Sequence, residues 1–256
     1  MEIFVLASGS KGNMTYLKVG DVKLFIDAGI SYQKIRSKMT DYQENLFDVK
    51  TLLITHEHHD HIMGLKMLLK NGAIEDVYLT KGTLSSLPVD VVSMFHQTHI
   101  IEADQPFKIG QVHITPFMLS HDAEEPVGFV VRDHEHKLVL LTDTGYVDQS
   151  YHELLTNADI YILEANHNPF TLFQSARPFL LKKRIVGEKG HLSNEDAATL
   201  MNRLIQGRTS IWVVAHISED CNSIDDIDEA IVKAFDDPTK VEVFYASQEG
   251  LPVIVI

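Results

Sequence analysis

The stretch THEHHDHIMG, residues 55–64, holds four histidines, one aspartate and one glutamate, and it follows the apolar run TLLI. Because alternate residues of an extended segment face the same way, His56 and His58 are expected to point to one side. Asp60 and His61 follow where the chain is expected to turn into a helix. Imidazole and carboxylate are ligands that Zn²⁺ and Mn²⁺ accept. The pattern therefore predicts a divalent metal site rather than a solvated surface loop.

Composition limits the class of protein that could carry such a site. The 256 residues allow one well-buried domain or two small ones. No apolar run is long enough for a membrane helix, and the N-terminus does not have the pattern of a signal peptide. A single cysteine, Cys221, excludes an internal disulfide framework. These features predict a cytoplasmic protein that does not bind membranes.

The formal net charge of −14 bears on nucleic-acid binding. A strongly acidic chain repels phosphate backbones at long range, so a broad surface that coats nucleic acid is disfavoured. A nuclease whose positive charge is local, or is supplied by metal ions, is still compatible with this charge.

The elements around the histidine stretch are short apolar runs that alternate with turns. Strands are predicted over 2–7, 16–20, 22–29, 51–55, 76–80, 112–119, 127–133, 137–145, 159–165, 211–216, 241–246 and 252–256. Helices are predicted over 30–39, 61–72, 83–87, 151–155, 193–205 and 223–235. Strands that come first in runs and then alternate with helices predict two packed sheets with helices outside, in an α/β or α+β arrangement. We expect a single domain over residues 1–256.

The pattern HxHxDH after an apolar strand resembles that of the metallo-β-lactamase fold superfamily. The resemblance implies an α/β fold, an αββα four-layer sandwich of two packed mixed β-sheets with helices on the outer faces. It also implies two metal ions and three later ligands at strand ends, which His121, Asp143 and His216 supply. In that scheme one ion is held by His56, His58 and His121, the other by Asp60, His61 and His216, and both by Asp143.

A longer ordered series is similar to the YycJ (WalJ) subfamily of bacterial metallohydrolases. It consists of LASGSKGN, FIDAG, THEHHDHIMGL, LTKGT, SHDAEEPVGF, LTDTGY, ILEANHN, KGHLSNEDA and AHISED. The subfamily implies a cytoplasmic 5′→3′ exonuclease that acts on DNA ends and is connected with mismatch repair, with possible protein partners in DNA repair. Two positions depart from the usual pattern: His59 replaces a small residue, and Cys221 replaces the first of two asparagines.

Glu164 ends a predicted strand, and His191 lies in a loop flanked by glycine just before a predicted helix. Their positions resemble a Glu/His pair of the related tRNA 3′-processing enzymes, in which the histidine protonates the leaving oxygen and the glutamate orients it. Imidazole is a natural general acid near neutral pH. In the alternative interpretation, Glu164 is a buried acid that accepts hydrogen bonds from backbone amides, and His191 only lines a loop.

A basic segment, residues 174–191, lies between these two residues. It carries Arg177, Lys182, Lys183, Arg184 and Lys189. Such a run is often a solvated helix face, but beside a metal site it can hold phosphates. Arg177, Lys183 and Arg184 are therefore candidate substrate contacts. Three phenylalanines, Phe170, Phe173 and Phe179, could stack on bases, although packing in a core or lid is the favoured interpretation.

The Gly/Ser-rich loop at residues 8–13 adds Ser8, Ser10 and Asn13 as candidate contacts to a phosphate or to the metal site. Ser193, predicted to cap the N-terminus of the helix over 193–205 with Asp196 at its third position, is a further candidate substrate contact. Asp27 is predicted to be structural, hydrogen-bonded near the ligating histidines.

The predicted chemistry is two-metal phosphodiester hydrolysis with a bridging hydroxide as nucleophile. Asp60 or Asp143 orients the nucleophile, and His191 gives a proton to the departing 3′ oxygen. Ligation without cysteine permits two ions of Zn²⁺ or Mn²⁺, with Fe as a further option. The alternatives are a ribonuclease or tRNA-processing nuclease, a hydrolase of small esters, lactones or thioesters, and a metal-dependent scaffold in a repair or signalling complex.

Overall fold

The computed structural model describes all 256 residues, and the chain divides into two compact units. The first unit comprises Met1–Met118, Ala123–Val127 and Ser247–Ile256, and the second comprises Leu119–Asp122 and Gly128–Ala246. The single domain over residues 1–256 stays a prediction. None of the helices combines the length and apolarity needed to cross a membrane.

The first unit is built on a seven-stranded mixed sheet with the order β14-β1-β2-β3-β4-β5-β6. Its strands are β1 (Glu2–Ala7), β2 (Met14–Val19), β3 (Val22–Ile26), β4 (Thr51–Leu53), β5 (Asp76–Leu79), β6 (Gln97–Ile100) and β14 (Ile254–Val255). Neighbours from β14 to β3 are antiparallel, and those from β3 to β6 are parallel. Because parallel strands end at the same edge, the segments after β3 and β4 emerge side by side.

The remaining elements of the first unit are five helices and an antiparallel hairpin. They are α1 (Tyr32–Asp41), α2 (His59–Ile62), α3 (Leu65–Asn71), α4 (Lys81–Ser86), α5 (Val89–Val92), β7 (Phe107–Ile109) and β8 (Val112–Met118), with a 3₁₀ turn at Leu46–Asp48. The core of this unit includes Tyr16, Phe25 and Leu52, all fully buried. β4 is buried at all of its positions, as expected for a short apolar strand of a parallel sheet.

The helix predicted over 61–72 is wrong in one respect, because the structure has two helices, α2 and α3, in this region. The break lies at Met63 and Gly64. The Gly64 amide donates to the Ala28 carbonyl oxygen at 2.8 Å, and a β-carbon at this position would lie 1.9 Å from the Ile30 carbonyl oxygen. The loop after β3 therefore packs against the backbone at Gly64, where only glycine fits.

The second unit contains β10 (Lys137–Leu141), β11 (Ile160–Glu164), β12 (Ser210–Ala215), β13 (Val241–Tyr245) and, apart from its first residue, β9 (Val127–Arg132). Within this unit the second sheet runs in the order β13-β12-β11-β10-β9. β9 and β10 form an antiparallel hairpin, and β10 to β13 are parallel. The helices are α6 (His152–Leu155), α7 (Pro169–Gln174), α8 (Phe179–Ile185), α9 (Asn194–Leu204) and α10 (Ile224–Ala234), with 3₁₀ turns at Gln149–Tyr151 and Pro238–Lys240.

Two features fix the central part of the second unit. The Ser193 side chain caps α9 by accepting a hydrogen bond from the Asp196 amide at 3.1 Å, which confirms the predicted cap. Trp212 lies in β12, is fully buried, and donates from its indole nitrogen to the Leu163 carbonyl oxygen at 3.0 Å. Each unit thus contains a mixed sheet and helices, which confirms the predicted α/β class.

Candidate metal and catalytic site

Four predicted ligands lie together after the carboxyl end of β4 in the first unit. The ring centroids of His56 and His58 are 4.7 Å apart, and those of His56 and His61 are 4.1 Å apart. Asp60 Oδ2 lies 3.6 Å from His61 Nε2. β4 ends at Leu53 and α2 begins at His59, so an extended connection is followed at once by a helical turn. That change of backbone brings the four side chains into one cluster, as the sequence predicts.

A buried carboxylate orients one of these imidazoles. Asp27 Oδ2 lies 2.8 Å from His61 Nδ1, and Asp27 Oδ1 accepts from the Thr55 amide at 2.8 Å. The Thr55 hydroxyl contacts the same carboxylate. A carboxylate at Nδ1 favours the proton on that nitrogen and makes Nε2 the ligating atom. The predicted structural role of Asp27 is therefore confirmed.

Asn13 is the candidate from the loop at residues 8–13 that touches the ligand set. Its Nδ2 lies 3.2 Å from Asp60 Oδ2 and 3.2 Å from His61 Nε2. Asn13 Oδ1 accepts from the Gly9 amide at 2.9 Å, so the loop itself fixes the amide. Ser8 is buried, and Ser10 is exposed. The side chain of Asn13 is thus placed to hold the Asp60 carboxylate, and its contact with His61 Nε2 would give way to an ion bound at that nitrogen.

The second unit brings three further predicted ligands together. Asp143 Oδ1 lies 3.9 Å from His121 Nε2 and 3.4 Å from His216 Nε2. All three side chains are buried. A buried carboxylate faced by two imidazole nitrogens is a donor set that suits a divalent cation such as Zn²⁺ or Mn²⁺. The residues present therefore fit the metal binding that the sequence predicts.

Three strand ends that carry these side chains have left-handed backbone conformations. φ is 62° at Asp27, 62° at Asp143 and 50° at His216, and these residues follow β3, β10 and β12. Such conformations are uncommon outside glycine, cost on the order of 1–3 kcal/mol each, and cluster at functional sites. The surrounding fold must therefore hold these three residues in place.

Glu164 and His191 form the predicted carboxylate–imidazole pair. Glu164 Oε2 lies 3.0 Å from His191 Nδ1, and Glu164 is fully buried. Glu164 Oε1 accepts from the Thr144 amide at 2.7 Å and the Leu192 amide at 3.3 Å. The two interpretations of Glu164 thus hold together, because the carboxylate binds backbone amides and contacts His191. His191 Nδ1 is also 3.8 Å from Asp143 Oδ1, which brings the pair beside the ligand set.

Two contacts that sequence reasoning missed position predicted ligands of the second unit. Asn166 Nδ2 donates to the His216 carbonyl oxygen at 2.8 Å and lies 3.0 Å from His216 Nδ1. His121 Nδ1 lies 3.2 Å from the Gly190 carbonyl oxygen. Asn166 stands in the string ILEANHN, two residues after Glu164, and this was its only signal in the sequence. Both contacts direct Nε2 of the imidazole toward Asp143.

His167 is a buried imidazole of the second unit outside the predicted site. Its Nδ1 has no hydrogen-bond partner. Burial, opposed by the charge of Glu164, lowers the pKa of His167 to about 4. The side chain is therefore neutral at pH 7.

The basic segment forms α8 and its flanks, and most of its cations are engaged. Arg184 forms a two-point ion pair with Asp122, with Nη2 2.9 Å from Oδ1. Arg177 Nη2 is 3.4 Å from Asp220 Oδ2. Lys182 is buried and donates to carbonyl oxygens at the end of α7. Lys183 is exposed and makes no ion pair. Local positive charge in this segment is therefore partly neutralised.

The three phenylalanines near this segment are not core residues. Phe170, Phe173 and Phe179 are 70%, 51% and 68% exposed. α7 and α8 are short, and they bury Leu172 and Ile185 against Cys221 instead. The expectation of packing in a core was wrong, because other residues of each helix make its apolar contact. Packing in a lid and stacking on bases stay predictions. Cys221 is buried against the apolar side chains of Leu172 and Ile185, which suits a thiol better than the asparagine that is usual at this position.

Fold and donor set together define the class of this protein. Residues 23–217 match the family described as the beta-lactamase superfamily domain, and the chain belongs to this family. The chain also resembles, over 99% of its length and 99% of the other chain, the metallo-beta-lactamase fold protein YhfI from Bacillus subtilis, with a TM-score of 0.73 and 18% identity. That likeness shows the fold, which confirms the predicted metallo-β-lactamase fold.

Two curated relatives narrow the family. The chain is 37% identical over 225 residues to the exodeoxyribonuclease WalJ of Streptococcus pneumoniae, covering 85% of this chain and 82% of that protein. It is 35% identical over 226 residues to the exodeoxyribonuclease YycJ of Bacillus anthracis, covering 85% and 83%. The predicted subfamily and the predicted enzyme class, a metal-dependent hydrolase, are thereby confirmed.

Proposed function

We propose that this chain is a cytoplasmic 5′→3′ exonuclease that acts on DNA ends and serves mismatch repair, where repair proteins would be its partners. The observation that carries the proposal is the second-unit cluster, in which Asp143 faces His121 and His216 while the Glu164–His191 pair lies beside it. Such a cluster combines a cation-binding carboxylate with a positioned proton donor. The two relatives named exodeoxyribonucleases support DNA as the substrate.

We assign two divalent ions, Zn²⁺ or Mn²⁺ with Fe as an option, to the predicted ligands. One ion is assigned to His56, His58 and His121, the other to Asp60, His61 and His216, and Asp143 is assigned to both. When bound, two divalent ions supply a nucleophile at neutral pH and neutralise the charge that develops on the phosphoryl oxygens. Family membership and the nitrogen and carboxylate donors of each unit support this assignment.

The protein groups then have separate tasks. Asp60 or Asp143 accepts a hydrogen bond from the attacking group and so orients it. Glu164 holds His191 through Nδ1, so that Nε2 lies on the opposite side of the ring and can give its proton to the departing 3′ oxygen. The amides of Thr144 and Leu192 keep the Glu164 carboxylate in place. His191 is thus a catalytic residue and Glu164 a positioning residue.

The proposed substrate contacts differ in availability. Lys183 and Ser10 are exposed and can reach a phosphate directly. Arg177 and Arg184 must exchange the carboxylates of Asp220 and Asp122 for phosphates. Ser8, Asn13 and Ser193 are buried and already bonded within the protein, so they act on substrate only through their neighbours.

The experiment that tests the function is digestion of 5′-labelled and 3′-labelled duplex DNA. Metal-free protein is resupplied with Mn²⁺ or Zn²⁺ and compared with His61→Ala and with the exposed control His134→Ala. We expect early release of mononucleotides from the 5′ label by the wild-type protein and by His134→Ala, and none by His61→Ala. Cleavage at full rate after chelation would contradict the proposal. Inertness toward DNA, with turnover of RNA or of a thioester, would favour the alternatives.

A further inference from the structure

A groove of about 280 Å³ opens on the second unit between the loop that follows β10 and one face of α9. Gly145 and Leu192 are among its lining residues, and the part of the groove beside them is called its inner end. Gly145 stands two residues after Asp143, and Leu192 directly follows His191. The groove therefore begins where the proposed catalytic and ligating residues end, although none of those residues lines it.

Both walls of the groove are tied to Glu164. The Leu192 amide on one wall donates to Glu164 Oε1 at 3.3 Å. On the other, the Thr144 amide donates to the same oxygen at 2.7 Å, and the Thr144 hydroxyl donates to the Tyr146 carbonyl oxygen at 2.7 Å. The inner end of the groove thus has a fixed width, set by the carboxylate that also orients His191.

The α9 wall has a definite direction. Asp196, Leu200 and Arg203 lie on one face because they are spaced four and three residues apart. At 1.5 Å per residue this face is about 10 Å long. The volume is close to the lower end of small-ligand sites, about 300 Å³. A single nucleotide fits such a space, and a duplex does not.

The lining side chains supply different chemistry along this length. Tyr146 is 46% exposed and offers its ring, and Leu192 and Leu200 are apolar. Arg203 is exposed at the outer end and makes no ion pair. Asp196 near the inner end disfavours a phosphate there, since like charges repel. The charge of the lining therefore runs from the Asp196 carboxylate, beside aromatic and apolar side chains, to a cation at the outer end.

We infer that this groove binds one nucleotide of the DNA strand that is cleaved, next to the nucleotide that is released. Its base would lie between Tyr146 and Leu200, and its phosphate would lie at Arg203. The inference rests on the proposed function and extends it, because it names the part of the strand that the second unit holds. A base has an aromatic face whatever its identity, so this contact is independent of sequence. A guanidinium binds phosphate with two parallel hydrogen bonds.

The test is binding of a short single strand, measured by fluorescence anisotropy on the full chain in EDTA at low salt. The probe is a 5′-phosphorylated hexanucleotide with a 3′ fluorescein. We expect Arg203→Ala and Tyr146→Ala each to raise Kd about tenfold, from the loss of a charge-assisted contact and of one stacked base. Tyr146→Phe should bind as wild type does. Arg36→Ala and Phe47→Ala are matched controls, since both side chains are exposed in the first unit.

A second probe with abasic sites separates stacking from other effects. Wild-type protein should bind it about tenfold more weakly, and Tyr146→Ala should lose nothing further. No binding by the wild-type protein, or equal binding by all variants, would overturn the groove. If Arg203→Ala and Tyr146→Ala cleave DNA and bind the hexanucleotide as wild type does, the nucleotide-binding role of the groove is wrong and the proposed nuclease function still stands. If the two variants weaken hexanucleotide binding but no metal-loaded protein cleaves DNA, the nuclease function is wrong and the groove still binds a nucleotide.

Discussion

The two units hold their donors in different ways. The first unit takes all four from one continuous stretch, His56 to His61, whereas the second collects His121, Asp143, Glu164, His191 and His216 from separate segments. Both nevertheless use the same device, a buried carboxylate at Nδ1 of an imidazole. The Asp27–His61 distance is 2.8 Å, and the Glu164–His191 distance is 3.0 Å. The comparison shows that equivalent carboxylate–imidazole pairs can be built from a local turn or from separate segments at the edge of a parallel sheet.

The exposure of the two imidazoles distinguishes their tasks. The His61 side chain is fully buried, whereas the His191 side chain is 15% exposed. A fully enclosed imidazole can serve as a fixed ligand but has no path to a substrate oxygen. An imidazole with an open edge can exchange a proton with substrate. We therefore expect the first pair to control metal binding and the second to control proton transfer.

The largest effect is expected from Asp143→Ala. The substitution removes the carboxylate that both second-unit Nε2 atoms face. Loss of several kcal/mol of charge stabilisation should lower the single-turnover rate on DNA by about a thousandfold or more. Removal of the metals by chelation should do the same. The exposed control Asp225→Ala should cleave normally, and cleavage at the wild-type rate by Asp143→Ala would contradict the metal-binding role assigned to Asp143.

His191→Ala should have the next largest effect. Loss of a general acid is expected to slow DNA cleavage by about 10²- to 10⁴-fold. A phosphodiester with a 4-nitrophenolate leaving group needs no proton, so its cleavage should be nearly unaffected. His61→Ala should lose both activities, because it removes a proposed metal ligand. Equal loss on both substrates by His191→Ala would mean that His191 is a ligand as well.

The two carboxylates give a finer comparison. Asp27→Asn should lower metal affinity about 10- to 100-fold, with activity restored by excess metal. Glu164→Gln should lower kcat, and added metal should not restore it. Metal titration followed by rate measurement at saturation separates the two variants. If both variants respond to metal in the same way, the assignment of different tasks to the two pairs is wrong.

The two asparagines offer a smaller effect. Asn13→Ala removes contacts to Asp60 and His61, and Asn166→Ala removes contacts to His216. Loss of one or two hydrogen bonds should weaken metal binding about two- to tenfold in either variant. Calorimetric metal titration measures this change. If only one of the two variants binds metal more weakly, then only the asparagine of that unit contributes to metal binding.

The smallest effect is expected in the pH dependence of stability. His167 has a pKa of about 4 in the folded protein, below its ordinary value near 6.5. The unfolded chain takes up this proton first, so stability is lost as pH falls from about 6.5 toward 4. Between pH 7 and 6 the loss is roughly 0.7 kcal/mol in the free energy of unfolding. Urea titrations should show this slope in wild type and in His134→Gln, and a smaller slope in His167→Gln.

The first donor set could be predicted from the sequence because its geometry is local. Alternation along an extended segment and the start of a helix place His56, His58, Asp60 and His61 without reference to the rest of the chain. The later ligands needed a family resemblance, since nothing near Asp143 or His216 in the sequence indicates the other. Contacts such as Asn166 with His216 join residues 50 positions apart, and no local pattern carries that information.

Two short helices that begin at or just after a proline, α7 and α8, were not predicted from the sequence. α7 begins at Pro169 and α8 follows Pro178, and these short helices expose their phenylalanines. A short helix gives too few turns for a clear apolar periodicity. Similarly, the division between α2 and α3 depends on a backbone approach at Gly64 that comes from a distant loop.

Trp212 gives the second unit its own optical reporter. It is the single tryptophan of the chain, and it lies enclosed in β12, whose end carries His216. Its emission should be blue-shifted in the native protein and should move to longer wavelength only when this sheet opens. Excitation at 295 nm therefore follows the unfolding of one unit, whereas circular dichroism follows both. Any separation between the two transitions measures how independently the two units melt.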